Sequence, residues 1–99
     1  MSHIPTQAAT DVLLERQRQQ EVEGWTPEHD DQHTDQSLAR AASAYVLYVT
    51  GHRTLALQAW PLSWLRKWFK PTDHRRTLVK AAALLIAEIE RLDRLENRE

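Results

Sequence analysis

Residues 74–94 read HRRTLVKAAALLIAEIERLDR, and this stretch decides the fold. Leu78, Ala82, Leu85, Ile89 and Leu92 recur at spacings of four, three, four and three, which is the heptad stripe of a long α-helix. Thr72 and Asp73 stand ahead of it as capping residues, because their side-chain oxygens can accept hydrogen bonds from the free amides of a first helical turn. Between Ala81 and Ala87 the helix is apolar all round. A helix apolar on every side is covered on every side, so the sequence places it at the centre of a bundle or at a dimer seam.

Working outward, the rest of the chain also reads as helix. Two glycines and four prolines punctuate it, and no run of period-two alternation argues for a sheet. A first helix begins at Thr6 or Thr10 and ends at Gly24. Its second half, ERQRQQEVE, is polar and has to lean on something other than an apolar core. A second helix follows Thr34 or Asp35 and runs to Gly51, with Leu38, Ala42, Tyr45 and Val49 on one stripe and alanines that permit close approach. Residues 55–71, LALQAWPLSWLRKWFKP, are broken by Pro61 and closed by Pro71, leaving room for one or two short helices. The expectation is an all-α small helical bundle forming a single domain over residues 1–99.

A chain of 99 residues buries a modest core, and a partner subunit would help it. With no cysteine, disulfides and thiolate zinc sites are excluded. The start of the chain carries no basic segment followed by an apolar one, and no apolar run approaches a membrane span, so a cytoplasmic protein without membrane association is expected. The net charge of −1 conceals a division. Residues 15–35 hold seven acids against Arg16 and Arg18, whereas residues 66–80 hold six Lys/Arg against Asp73 alone. A net charge near zero disfavours broad nucleic-acid binding.

Two segments carry candidate chemistry. GWTPEHDDQHTD, residues 24–35, gathers Glu28, His29, Asp30, Asp31 and His33. His29 and His33 have the i, i+4 spacing of a helical metal pair, but Pro27 before them and a helix start after them argue against a regular helix there. The same residues serve equally as a turn that caps the next helix. KWFKPTDHRRTLVK, residues 67–80, clusters Lys67, Lys70, Arg75, Arg76 and Lys80 around the start of the last helix, where free amides and the helix dipole favour an anion. Trp64 and Trp68, four apart, put indoles beside these charges, either to face a base or to fill the core. Glu90 and Asp93 spell ExxD, a magnesium spacing, yet arginines surround them as at an ion-paired helix end. No catalytic triad, glycine-rich phosphate loop or dinucleotide fingerprint is evident.

ERQRQ at 15–19, GWTPEHDDQH at 24–33, LARAASAY at 38–45 and RRTLVKAAALLIAEIERLDR at 75–94 together resemble a group of small phage and prophage proteins, some described as MazG-like. The resemblance implies an all-α nucleoside triphosphate pyrophosphohydrolase fold, assembled as dimers or tetramers, that binds magnesium through EExxE on one helix and ExxD on another. Here the first motif's helix reads QSLARAASAY, without a carboxylate, and the second motif falls on Thr77 and Lys80. A lysine there repels magnesium and can itself meet a phosphate. The expectation is therefore a MazG-like fold without metal or other cofactor, binding a nucleotide or nucleotide-derived small molecule without rapid turnover. Lys70, Arg75, Arg76, Lys80 and Arg40 would hold phosphate, and Trp25, Trp64 or Trp68 would face the base. Residues 24–35 would form the acidic wall of a pocket whose basic wall is Lys70–Lys80. The resemblance further implies a role in sequestering a nucleotide signal of host defence. Two alternatives stand beside it: a divergent magnesium-dependent pyrophosphohydrolase using Glu15, Glu28, Asp30 and Asp31, and a helical homo-oligomer that binds a host protein.

Overall fold

Thr6 accepts a hydrogen bond from the amide of Ala9 at 3.1 Å and so starts α1, Gln7–Glu21, in a computed structural model that describes residues 4–32 and 35–97. Gly24 follows with φ of 78°, the left-handed turn that a residue with a Cβ adopts at a cost. Thr26 then caps a one-turn helix, α2, Pro27–Asp31, its hydroxyl accepting from the amide of His29 at 3.3 Å. This corrects the expectation of an irregular loop. Pro27 occupies the first turn, where its missing N–H costs nothing and its fixed φ suits the helix. His33 and Thr34 lie outside the described residues, and with them the His29/His33 pair and one of the two expected caps. Asp35 stands one residue ahead of the cap position, which Gln36 fills with φ of 65° and no side-chain cap bond; its Oδ1 still accepts from the amide of Ser37 at 3.1 Å, and α3 spans Ser37–Val49.

Helix α4, Arg53–Ala59, and a 3₁₀ turn, Arg66–Trp68, fill the middle segment on either side of Pro61. Asp73 Oδ1 accepts from the amide of Arg76 at 2.8 Å, and α5 runs from His74 to Asn97. The protein is thus an all-α small bundle in which α5 packs against α1, α2 and α3, and α3 packs against α4. Among the described residues no helix is long and apolar enough to cross a membrane.

The core joins Leu38, Ala41, Ala42, Ala44 and Tyr45 of α3 to Ala81, Leu84 and Ala87 of α5, closed at one end by aromatic rings. Alanines on both helices let the backbones approach closely, which leaves the volume to be filled by tryptophan. Trp25 and Trp64 have ring centroids 5.1 Å apart, Trp60 and Trp64 5.4 Å, and Trp60 and Phe69 4.9 Å. The expected stripe of α3 is the buried one as far as Tyr45. On α5 the buried stripe is shifted by one residue from the expected one. Thr77, Ala81, Leu84, Glu88 and Arg91 are covered, while Leu78, Leu85, Ile89 and Leu92 face outward. The long helix is central in its contacts, but its leucine heptad lies on the surface.

Candidate functional site

The polar half of α1 leans on charge, as its composition requires. Glu15 and Arg16, neighbours in sequence and both buried, leave α1 in opposite directions along α5. Glu15 meets Arg76 and Arg16 meets Glu90, positions roughly 21 Å apart along the helix axis. Two separate ionic clusters result.

The first is built on Arg16. Its Nη2 donates to Asp30 Oδ2 at 2.9 Å, its Nη1 to the carbonyl of Trp25 at 3.0 Å, and its Nε to Glu90 Oε1 at 3.1 Å. Arg94 clamps the same short helix α2, donating to Asp31 Oδ1 at 2.8 and 3.0 Å and to the carbonyl of Pro27 at 3.3 Å. Burial pushes the Asp30 carboxyl up, more than its His29 and Arg16 neighbours bring it down. Asp30 and Asp31 are therefore docking groups that fasten α2 to α1 and α5. They do not form a wall opposite Lys70–Lys80, because arginines on α1 and α5 reach them first. Glu28 is exposed. Among the described residues no group of three or more His, Asp or Glu side chains is placed to hold a metal ion, so Glu15, Glu28, Asp30 and Asp31 are not brought together.

The second cluster is built on Glu15. Arg18 donates to both of its oxygens, Nε at 2.8 Å and Nη2 at 2.9 Å, and Gln19 Nε2 donates to Oε2 at 3.1 Å. Arg76 Nη2 donates to Oε1 from the first turns of α5. Burial raises the Glu15 carboxyl, but the hydrogen bonds and charges of Arg18 and Arg76 outweigh it and hold the group below the ordinary range. Glu23 accepts from Arg18 at 3.3 Å and from Lys70 at 3.5 Å. Lys80 Nζ donates to the carbonyl of Lys70, and Tyr45 Oη fixes the same segment by donating to the carbonyl of Trp68 at 3.3 Å while accepting from the amide of Lys70 at 3.2 Å.

Glu15, Arg18, Gln19, Glu23, Lys70 and Lys80 line one cleft between α1, α3, the 3₁₀ turn and α5, with Trp68, Tyr45 and Trp25 as its apolar surface. Arg18, Lys70 and Lys80 line the cleft with Glu15 and Glu23, and Arg76 reaches Glu15 from outside the lining; these four cations and two acids leave an excess of two positive charges. Lys80 feels that excess: burial first, then Arg18, Arg76 and Lys70, push its ammonium below the ordinary lysine range against the pull of Glu15. Gln19 Oε1, fully buried at the cleft, accepts no hydrogen bond among the described residues. The cleft is narrow. It holds about 230 Å³ of space, of which about 10 Å³ is wide enough for the centre of a water molecule.

Of the five cations expected to hold phosphate, the fold thus gathers Lys70, Arg76 and Lys80. Arg75 turns to Asp11 on α1 at 2.8 Å, and this neighbouring acid relieves the unfavourable placing of a cation at a helix start. Arg40 lies elsewhere, in an open cleft with Asp35, Gln58, Trp60 and Leu62. Of the three tryptophans expected to face a base, Trp25 and Trp64 are buried core rings, and Trp68 alone is half-exposed beside the cations. Arg18, Gln19, Glu23 and Tyr45 were not legible as members of this site. The signal that pointed to the first two was the polar run ERQRQ, whose only outlet is a charged partner surface. Comparison with protein-family models, with curated proteins and with solved structures finds no match for this chain.

Proposed function

We propose that the protein binds a nucleotide or nucleotide-derived small molecule through its phosphate at the Lys70–Lys80 cleft, without turning it over. The excess of two positive charges among Arg18, Lys70, Arg76, Lys80, Glu15 and Glu23 carries this reading. A phosphate dianion would balance the cluster, meeting the ammonium groups of Lys70 and Lys80 beside the indole of Trp68. Entry requires Lys70 to turn outward. Its contact with Glu23 is long, at 3.5 Å, and its side chain is more than half exposed, so this is the group that moves most cheaply.

The resemblance to MazG-like phage proteins supports the nucleotide part of the reading and extends it to sequestering a nucleotide signal of host defence. Magnesium is not needed for it. Isothermal titration calorimetry with nucleoside mono-, di- and triphosphates in the presence of EDTA tests the proposal. Saturable binding that is lost in Lys80→Ala is expected. Binding that Lys80→Ala and Lys70→Ala leave intact, or that appears only with magnesium and releases pyrophosphate, would overturn it.

A further inference from the structure

Residues 61–69 read PLSWLRKWF and turn their rings inward and their leucines outward. Pro61 and Trp64 are buried and Trp68 and Phe69 half-buried, whereas Leu62 is fully exposed and Leu65 half-exposed. The backbone that displays the leucines is tied down. The amide of Trp64 donates to the carbonyl of Pro61 at 3.1 Å, and the amides of Trp68 and Phe69 donate to the carbonyls of Leu65 and Arg66 at 3.0 Å. Trp60 Nε1 donates to the carbonyl of Leu65 at 3.2 Å.

Single exposed leucines are ordinary, so the charge beside these two decides what they are for. No carboxylate occurs from residue 36 to residue 72, a stretch that holds Arg40, Arg53, Arg66, Lys67 and Lys70. Arg16, Arg18, Arg75, Arg76, Arg91 and Arg94 each hold a carboxylate, but Arg66 and Lys67 hold none among the described residues. Arg53 joins them from α4: its guanidinium lies 4.7 Å from the ring centre of Tyr48, and that ring meets Phe69 edge-on at 5.9 Å. The patch is apolar and basic, with half-buried rings between.

These are the groups that a bilayer interface sorts by depth: leucine at the acyl boundary, tyrosine and tryptophan among the headgroups, lysine and arginine against the phosphates. Leu62 protrudes, and a protruding side chain enters a fluid surface without a matched pocket. We propose that this segment docks the protein peripherally on anionic bilayers, Leu62 and Leu65 entering the headgroup boundary while Arg53, Arg66 and Lys67 meet lipid phosphate. The expectation of no membrane association rests on the lack of a spanning segment, which surface docking does not require. Neither leucine and none of these three cations lines the Lys70–Lys80 cleft, so the proposal stands or falls independently of the nucleotide reading.

Co-sedimentation of the full chain with vesicles of phosphatidylcholine, alone or in equal mixture with phosphatidylserine, tests it. The protein is expected to bind the mixed vesicles only, and less as salt is raised. Leu62→Ser should weaken binding about tenfold, and Arg66→Gln and Lys67→Gln about fivefold each. All three side chains are exposed, so the variants should keep the helical circular dichroism and the melting temperature of the wild type. Lys80→Ala should bind vesicles as the wild type does, because the cleft is not the docking surface. No binding to the mixed vesicles would overturn the proposal and leave these leucines to a protein partner. Equal binding with and without phosphatidylserine would also overturn it. So would loss of binding in Lys80→Ala with Leu62→Ser unaffected, since the cleft would then be what takes the lipid phosphate.

Discussion

Glu15 and Arg16 are adjacent, both buried, and opposite in the balance of charge around them. Arg16 is one cation held by two acids, Asp30 and Glu90, and a backbone carbonyl. Glu15 is one acid held by two arginines and an amide, in a cluster that adds Lys70 and Lys80 against only Glu23. The Arg16 cluster is closed: each of its three nitrogens donates to a group that belongs to the fold. The Glu15 cluster is also folded shut, but it has positive charge left over and a buried acceptor, Gln19 Oε1, without a donor among the described residues. Charge density in the sequence does not distinguish the two clusters; the local surplus does, and it is what the proposed anion site rests on.

The largest effect should come from breaking the closed cluster. Arg16→Met leaves Asp30 buried with His29 as its remaining polar side-chain neighbour, and removing one partner of a buried pair costs about 3–5 kcal/mol. Urea denaturation should register the whole of it, and the melting temperature should fall by about 4–8 °C for each kcal/mol. Ligand binding at the cleft should change little in the fraction that remains folded. Glu15→Gln should cost less, about 1–3 kcal/mol, because Arg18 and Arg76 both keep access to water. It raises the positive surplus from two to three, so anion binding measured by calorimetry should tighten. A loss of binding in Glu15→Gln would mean that Glu15 positions the arginines more than it neutralises them.

The two clusters also have opposite acid responses. Glu15 is held below its ordinary range, so its stabilising contribution is present above the unfolded-state pKa and is lost as pH falls through the folded one. Asp30 is pushed above its ordinary range, so its contribution is fully present below the unfolded-state pKa and is lost as pH rises through the folded one. Acidification therefore weakens the Glu15 cluster and relieves the Asp30 one. Denaturation curves between pH 3 and pH 6, on the order of the carboxylate range, should show a shallower acid loss in Glu15→Gln and a steeper one in Asp30→Asn. Parallel curves for both variants would remove the distinction between the clusters.

Much of this was legible in the sequence, and the exceptions have physical causes. Helix boundaries followed from Thr6, Asp35, Asp73 and the two glycines, since capping is a local property. α2 was missed because Pro27 reads as a helix breaker until its position in the first turn is known. The face of α5 was misread by one residue because leucines mark apolarity, not burial. The core needs small residues where α3 approaches, so Ala81 and Ala87 with Leu84 are inside and the leucine heptad is outside. The acidic stretch left a metal open beside a capping turn, and read as a pocket wall, because arginine partners 14 and 63 residues away are invisible in a linear reading. Lys70, Arg76 and Lys80 were found because they share one helix start and the turn before it; Arg75 and Arg40 share composition with them but not direction.

The smallest change in stability and the most specific change in function should come from Lys80→Ala. Lys80 donates to a carbonyl at a half-buried position and neutralises no acid directly, so its removal should shift unfolding by about 0.5 kcal/mol or less. Its ammonium is held below the ordinary lysine range by burial and by three neighbouring cations. A bound dianion reverses the electrostatic part of that push, and the group's pKa rises. As pH rises toward the ordinary lysine pKa of about 10.4, binding should therefore take up protons. Calorimetry in two buffers of different ionisation enthalpy measures that uptake directly. Uptake should be present in the wild type and absent in any residual binding by Lys80→Ala, whereas a nucleotide bound elsewhere on the molecule would give the same proton count for both.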